Sequence, residues 1–378
     1  MKIGILTQPL YTNYGGIIQC YALQTALRLM GHETVVLQRE FNRRYTFKGA
    51  CTYYAKHFVK LLLGRRSSWH YYVSQKKRDF IAQNTYNFIQ ENIITSKHCY
   101  STEELRQEAK NQNLNAIVVG SDQVWRPYYS PCQTNYFLDF LDEDSKIKRI
   151  SYAASFGTDN WEFSDELTKV CSKLLKKFQA VSVREKSAIG LCKEHFDVDA
   201  IHVLDPTLLL DKSSYLKLLS PSDNKSEQLF CYVLDRNKKK TEIVDNIARQ
   251  TGLKPFEVMP ELPNDVYNLY GDIEKCVYPP LEKWLEAFEG AEMVITDSFH
   301  GTVFSIIFNK PFWVIVNEGR GTARFESILS LFNLSKRLID KSKINEINLN
   351  APIDWNSVNN IKTTLQEESR RFIINALV

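Results

Sequence analysis

A chain of 378 residues is too long for one ordinary hydrophobic core and suits two. Its 44% hydrophobic and 24% charged residues, with 15 Gly and 12 Pro, are those of a folded globular protein and exclude wholesale disorder. The net charge of +4 is uneven: Arg39 to Arg78 holds eleven Lys or Arg against one acid, Glu40, a net +10 that leaves −6 for the rest.

The opening reads as strand, glycine turn and helix. Lys2 to Thr7 is a short apolar strand, Asn13-Tyr14-Gly15-Gly16 the turn, and Ile17 to Leu29 a helix ended by Gly31. Thr34 to Leu37 follows as a strand, with neither GxGxxG nor GxxxxGK in this βαβ start, so no nucleotide fingerprint is present. Further strands are expected at Ala116 to Val119, Arg149 to Ser155, Ala180 to Val183 and Ile201 to Leu204. The alternation breaks near Asp205-Pro206 and the polar Ser220 to Glu227 loop, then resumes. The second half gives a strand at Leu229 to Leu234, helices near Thr241 to Thr251 and Leu281 to Phe288, and a strand at Met293 to Thr296. A helix from about His300 to Asn309, a strand Phe312 to Val316 and a last helix Asn356 to Leu377 complete it. Alternating strands and helices predict an α/β protein with two doubly wound, Rossmann-like domains, residues 1–205 and 206–378, facing a cleft. The last helix can pack on either half.

Several classes are excluded at this point. The first ten residues lack the apolar length and cleavage site of a signal peptide, and no apolar run approaches the roughly 18 residues of a membrane span. Eight cysteines at least 21 residues apart give no CxxC, so scattered reduced thiols in a cytoplasmic protein are expected. Asp142-Glu143-Asp144 and Asp197-Val198-Asp199 spell DxD without a strand-end loop around them, so both read as solvated loops. No His, Cys and carboxylate cluster has metal spacing, and no metal or cofactor is expected.

The informative residues sit where apolar strands end. In Met293 to Thr302 a strand runs into Asp297-Ser298 and then a helix, leaving free backbone N–H groups beside His300 and Gly301. His300 is therefore expected to face an anion, as proton donor or phosphate contact. Arg184 stands at the equivalent place in the first half, closing the strand Ala180 to Val183, and suits bidentate recognition of carboxylate or phosphate. A third cluster, Asn317 to Arg324, supplies Arg320 between two glycines and Arg324 just before Phe325. Asp122, Gln123 and Arg126, after the Ala116 strand, put polar groups at the cleft, as does Ser155-Phe156-Gly157.

These motifs together resemble the polysaccharide pyruvyl transferase family. The resemblance rests on Tyr14-Gly15-Gly16, Gly120-Ser121-Asp122-Gln123-Val124-Trp125, Ser151 to Gly157, Ser182-Val183-Arg184-Glu185, Asp205-Pro206-Thr207-Leu208 and Asp297-Ser298-Phe299-His300-Gly301, in that order over roughly residues 1 to 325. It implies a fold like the two-domain GT-B glycosyltransferases, and transfer of the pyruvyl unit of phosphoenolpyruvate onto two sugar hydroxyls as a cyclic ketal. In the family the residues matching Arg184 and His300 are associated with the phosphoenolpyruvate site; donor binding is expected here at Arg184, Ser298, His300, Gly301, Arg320 and Arg324, with Arg184 and His300 catalytic. The acceptor side is expected at Asn13, Tyr14, Gly15, Gly16, Asp122, Gln123 and Arg126. Many members carry Ser-Arg-Leu-His-Gly where this chain has Asp297 to Gly301, so the family arginine is Ser298 here. Either Arg320 or Arg324 supplies the missing charge, or the donor is held differently.

The basic segment has two readings. Thr52 to Leu63 can form a helix with an aromatic side and a basic side, docking at an anionic membrane where a lipid-linked oligosaccharide acceptor would reside. Otherwise it is a solvated, Lys-rich lid over the first domain. The expected location is the cytoplasm, with any docking at the inner face of the membrane. Nucleic acid is not expected as a partner, since no recognition fold accompanies the patch. The alternative activity is a GT-B glycosyltransferase using a nucleotide-sugar donor, with Glu318 as its ribose contact; a catalytically idle relative that binds glycans is a third.

Overall fold

A computed structural model describes residues 1–41, 51, 54–55, 58–59, 73–220, 228–262, 271–316, 323–339 and 348–378. The helix expected at Thr52 to Leu63, and Arg320 with Glu318, lie outside the described residues, the former but for a few positions.

The first half runs β1 (Lys2–Leu6), α1 (Tyr14–Leu29), β2 (Glu33–Arg39), α2 (Gln75–Asn92), β3 (Thr95–Cys99), α3 (Thr102–Asn111) and β4 (Ala116–Val119). It continues with β5 (Lys148–Ala154), α4 (Asp165–Leu175), β6 (Ala180–Val183), α5 (Ser187–Leu191) and β7 (Ile201–His202). After α6 (Lys212–Leu216), the second half runs β8 (Gln228–Tyr232), α7 (Lys238–Thr251), β9 (Lys254–Phe256), α8 (Leu281–Gly290) and β10 (Met293–Thr296). Then come α9 (Phe299–Ile307), β11 (Phe312–Ile315), α10 (Ala323–Leu331), β12 (Leu338–Ile339) and α11 (Trp355–Leu377).

Two sheets result, a seven-stranded one ordered 3-2-1-4-5-6-7 and a five-stranded one ordered 12-11-10-8-9. Their pairings are parallel. The central strands have the composition this demands: Ala116-Ile-Val-Val119, Met293-Val-Ile-Thr296 and Phe312-Trp-Val-Ile315 are buried at every position, because helices cover both faces. Each order also reverses direction once, between β1 and β4 and between β8 and β10, and crevices at such switch points receive ligands in open α/β sheets. The expected two α/β sheets are thus present, and one buried apolar cluster joins them, from Ile3 and Tyr14 to Trp284 and Phe304.

Two details differ from the sequence reading, and a third decides between alternatives it left open. The Asn13 to Gly16 turn is instead the first turn of α1, with Asn13 at its N-cap. Both glycines are helical; the residue that needs a missing side chain there is Gly15, for a reason given below. The strands β3, β9 and β12 were not expected, and each is at a sheet edge. The last helix returns to the first half: Ser369 Oγ accepts from Leu204 N and Leu377 O from Lys148 Nζ, while Gln366 and Arg370 donate to the carbonyls of Leu208 and Leu209 just after the boundary. Among the described residues no helix is long and apolar enough to cross a membrane.

Candidate functional site

The C-terminal ends of β4, β5 and β6 meet the end of β10 in one buried polar cluster. Arg184, directly after β6, is its hub. Its Nη1 donates to Asp205 Oδ2 at 3.1 Å, its Nε to Glu185 Oε1 at 3.3 Å, and its Nη2 faces Asp122 Oδ1 at 3.5 Å. Its guanidinium also lies 4.5 Å from the Phe299 ring, across the interface between the two halves. The side chain is 1% exposed, so these charges interact with little water between them. Burial opposes the charge, but Glu185, Asp122 and Asp205 outweigh it and hold the guanidinium more firmly protonated than usual.

Asp205 follows β7, at the Asp-Pro step that reads in the sequence only as a break between domains. Its Oδ1 accepts from Thr207 N at 3.0 Å and Thr207 Oγ1 at 2.7 Å; its Oδ2 accepts from Arg184 and, at 3.3 Å, from Ser121 Oγ. Burial works against ionisation, yet His300, which is protonated at the low pH where a carboxyl titrates, Arg184 and both Thr207 hydrogen bonds overcome it and keep the carboxyl below its ordinary range. Asp205 was not among the residues expected at the site. The signal for it was the Asp-Pro-Thr turn after an apolar strand, which places a carboxylate at a strand end as surely as Arg184 is placed.

His300 enters from the second half, in the first turn of α9. Its Nε2 is 3.8 Å from Asp205 Oδ2, too far for a hydrogen bond, and is buried without a hydrogen-bond partner. Its Nδ1 edge rests against α1: a methyl group on Gly15 would lie 2.1 Å from that nitrogen. Gly15 therefore serves close approach rather than a turn. Burial is the main influence on the imidazole and pushes its pKa below 6.5; Asp205 and Asp122 oppose this, while Arg184 and Arg324 add to it. The ring is neutral at neutral pH.

Ser298 and Gly301 have local roles in this structure. Ser298 is the N-cap of α9, its Oγ accepting from Gly301 N at 3.5 Å, and a methyl on Gly301 would lie 2.1 Å from Thr296 Oγ1. Asp297 beside them is engaged elsewhere, accepting from Leu234 N at 2.6 Å, Asp235 N at 3.1 Å and Lys240 Nζ at 2.5 Å. Arg324, at the start of α10, is buried; burial and the charge of Arg184 lower its pKa to about 10, against Glu185 and Asp122, so it stays cationic at neutral pH.

The first half supplies the remaining wall. Gly120 has φ +122, and any Cβ there would lie 2.2 Å from Tyr152 O, so only glycine fits. Ser121 N donates to Gln19 Oε1, and Ser121 Oγ to Ala153 O, which locks the start of this loop to α1 and β5. Gln123 accepts from Arg126 Nη1 at 3.2 Å, and Arg126 grips Glu162 with two bonds of 3.1 and 3.2 Å. Of the residues expected on the acceptor side, Gly15 and Asp122 touch the cluster, at His300 and Arg184, while Gln123 and Arg126 pair with each other on the loop beside it. Asn13 is exposed beside it, and Gly16 packs against the Asn13 side chain. Tyr14 is fully buried, donating to Pro279 O at 2.6 Å and packed on Tyr278 and Trp284, where it joins the two halves.

The cluster therefore holds two guanidiniums, three carboxylates and a neutral imidazole, next to the N-terminus of α9. Such a set can bind an anion and move a proton. Among the described residues no three His, Cys, Asp or Glu side chains are arranged to hold a metal ion.

The trehalose-6-phosphate phosphatase N-terminal domain of Candida albicans shares 10% identity with this chain, covering 100% of it and 96% of that domain, at a TM-score of 0.50. The UDP-GlcNAc 2-epimerase of Methanocaldococcus jannaschii, solved with UDP-GlcNAc and UDP, is 13% identical over 97% of this chain and all of its own, with a TM-score of 0.49. A glycosyltransferase from Rickettsia africae is 10% identical over 100% of this chain and 94% of its own, at 0.48. The two sheets of parallel strands and the likeness to the first of these structures make the fold GT-B-like. No curated protein sequence matches the chain. The sequence model for polysaccharide pyruvyl transferases matches residues 13–319, a span that takes in the loop after β4, Arg184, Asp205 and His300, and this chain belongs to that family.

Proposed function

We propose that the protein moves the pyruvyl unit of phosphoenolpyruvate onto two hydroxyls of a sugar, within a surface polysaccharide or its lipid-linked precursor, as a cyclic ketal. The observation that carries the reading is His300: a buried, unbonded imidazole nitrogen, between Asp205 and Gly15, at a helix start and beside two arginines. Histidine works as acid and base in the range such a transfer needs.

Arg184 is already shared among three carboxylates, which supports a positioning role for it. Anion recognition then falls to Arg324, the N-terminus of α9 and His300 itself. A phosphate or carboxylate arriving beside His300 favours its protonated form, and Asp205 stabilises the resulting imidazolium. The imidazolium gives its proton to the methylene carbon of the donor, and C2 becomes oxocarbenium-like. The first sugar hydroxyl forms a C–O bond to C2, its proton returning to His300. The second hydroxyl forms the other C–O bond as the C2–OPO₃ bond breaks, and its proton leaves with phosphate. Holding donor and sugar together in the cleft supplies much of the remaining acceleration.

Calorimetry with phosphoenolpyruvate tests this on the wild type, His300→Ala and Arg324→Met. Arg184→Ala is a poorer probe because it strands buried carboxylates. Binding by the wild type, weakened in both variants, is the expected result. Absence of binding with sugar acceptor also present, together with stabilisation by nucleotide diphosphates, would move the activity to a nucleotide-sugar transferase.

A further inference from the structure

The loop after β4 carries a feature that neither the donor chemistry nor the core accounts for. It is rigid at its base: Gln8 Nε2 donates to Gln123 O and Ser130 Oγ, both at 2.9 Å, and Ser130 Oγ in turn donates to Val124 O. Trp125 anchors it beneath, fully buried, its indole N–H on Tyr136 O and its ring stacked on Phe137. From this base the turn Arg126 to Tyr129 projects two aromatic side chains. Tyr129 is 48% exposed and lies face-on to the Arg126 guanidinium at 4.5 Å; Tyr128 is 93% exposed. Tyr128 also has φ +68, a left-handed backbone that bulky residues rarely adopt and that folds retain where a side chain is wanted in one place.

Tyr129 gains its contact with Arg126, but nothing in the packing rewards the exposed ring of Tyr128. The turn borders the site, because Arg126 donates to the side chain of Gln123, the residue directly after Asp122. The positive charge of Arg126 is matched by its two-bond pairing with Glu162, so the rim is aromatic and hydrogen-bonding but close to neutral. A pyranose ring has the complementary character: an apolar C–H face that stacks on aromatic rings, and hydroxyls that bond an Arg–Glu pair.

We infer that Tyr128 and Tyr129, with Arg126 and Glu162, form a carbohydrate-stacking platform that receives a neutral sugar unit of the acceptor. This rests on the sugar-acceptor part of the proposed function and names where on the molecule that acceptor is held. The platform acts through ring faces, so phenylalanine can replace tyrosine there and alanine cannot.

Saturation-transfer NMR tests the platform, using the full chain with phosphoenolpyruvate and an equimolar panel of methyl glycosides of glucose, galactose, mannose and N-acetylmannosamine. The wild type is expected to saturate the ring protons of at least one glycoside. Tyr128→Ala/Tyr129→Ala should weaken that binding about tenfold, and Tyr128→Phe/Tyr129→Phe should restore it. Phosphoenolpyruvate binding, followed separately by calorimetry, should be the same in all three. Undiminished glycoside binding in the alanine variant, or no saturation of any glycoside by the wild type, would overturn the platform while leaving donor binding standing. Tyrosine-dependent glycoside binding without donor binding would keep the platform and sink the pyruvyl transfer.

Discussion

Among the described residues, Lys240–Asp297 and the Arg184 cluster are both buried ion pairs at strand ends, and the second alone has polar groups left unbonded. At the end of β10, Asp297 accepts from two backbone N–H groups and Lys240, all within one half of the molecule. One cation meets one anion, and the carboxylate has its partners. At the end of β6, Arg184 faces three carboxylates, Glu185 Oε2 is buried without a hydrogen bond, and His300 Nε2 is likewise unbonded although Asp205 is near. The components come from both halves. A satisfied pair holds a loop in place. An over-supplied, imperfectly bonded cluster at an interdomain seam stores polar capacity that a ligand can use.

The sharpest way to break this contrast is to remove the unbonded imidazole. His300→Asn should lower turnover by about 10² to 10⁴-fold, the usual weight of a general acid or base, while the chain stays folded. Steady-state rates beside a thermal melt check it; wild-type turnover would dismiss the assignment. Next come the two buried ion pairs. Lys240→Met leaves the Asp297 carboxylate buried without its cation and should cost roughly 3–5 kcal/mol in urea unfolding, whereas Asp205→Asn leaves Arg184 with Glu185 and Asp122 and should cost less. They should part company in function: at a temperature where both are folded, Lys240→Met should bind phosphoenolpyruvate like the wild type and Asp205→Asn should lose turnover. Equal losses in both would erase the distinction between the two strand ends.

The contrast also explains what was legible beforehand. The interior strands announce themselves as unbroken apolar runs because both their faces are covered. The strands that escaped notice, Thr95–Cys99, Lys254–Phe256 and Leu338–Ile339, are edge strands, too short or too polar to show a run. Arg184 and His300 stood out as polar residues where apolar strands stop. Asp205 did not, because an Asp-Pro step looks the same whether it separates domains or aims a carboxylate. Gly15 was read as a turn residue, since a glycine pair after a strand is the usual sign of one. Its actual task, making room for a ring from the other half, depends on a contact between residues 285 positions apart, which local pattern does not carry.

That contact makes Gly15→Ala a finer test. In a helix, alanine for glycine is favourable by about 1 kcal/mol, whereas forcing a methyl against a packed ring costs roughly 1–3 kcal/mol. The two effects nearly offset, so the melting temperature should shift by only a few degrees. The imidazole, however, must move, and misplacement by about 1 Å can reduce turnover on the order of a hundredfold. Activity unchanged in Gly15→Ala would mean that His300 does its work in another position.

The smallest effect is the response of stability to pH. The folded His300 binds its proton less readily than an unfolded histidine, whose pKa is 6.5, because burial opposes the charge. Between the two values the unfolded chain holds more protons, so stability falls as pH drops from about 6.5 towards the folded value, and is at its full level above 6.5. His202 is depressed in the same direction, also by burial, so His300→Asn should flatten this slope in part and not abolish it. Asp205, held below 3.8, acts in a lower window, its contribution present above that value and lost as pH falls through the folded one. Urea titrations of wild type and His300→Asn between pH 5 and 8 isolate the histidine window, since that of Asp205 lies below it. Adding phosphoenolpyruvate should then reverse the histidine's part of the slope, because an anion beside the ring favours the proton that burial disfavours. A slope that ignored the donor would place the anion away from His300, and with it the proton transfer.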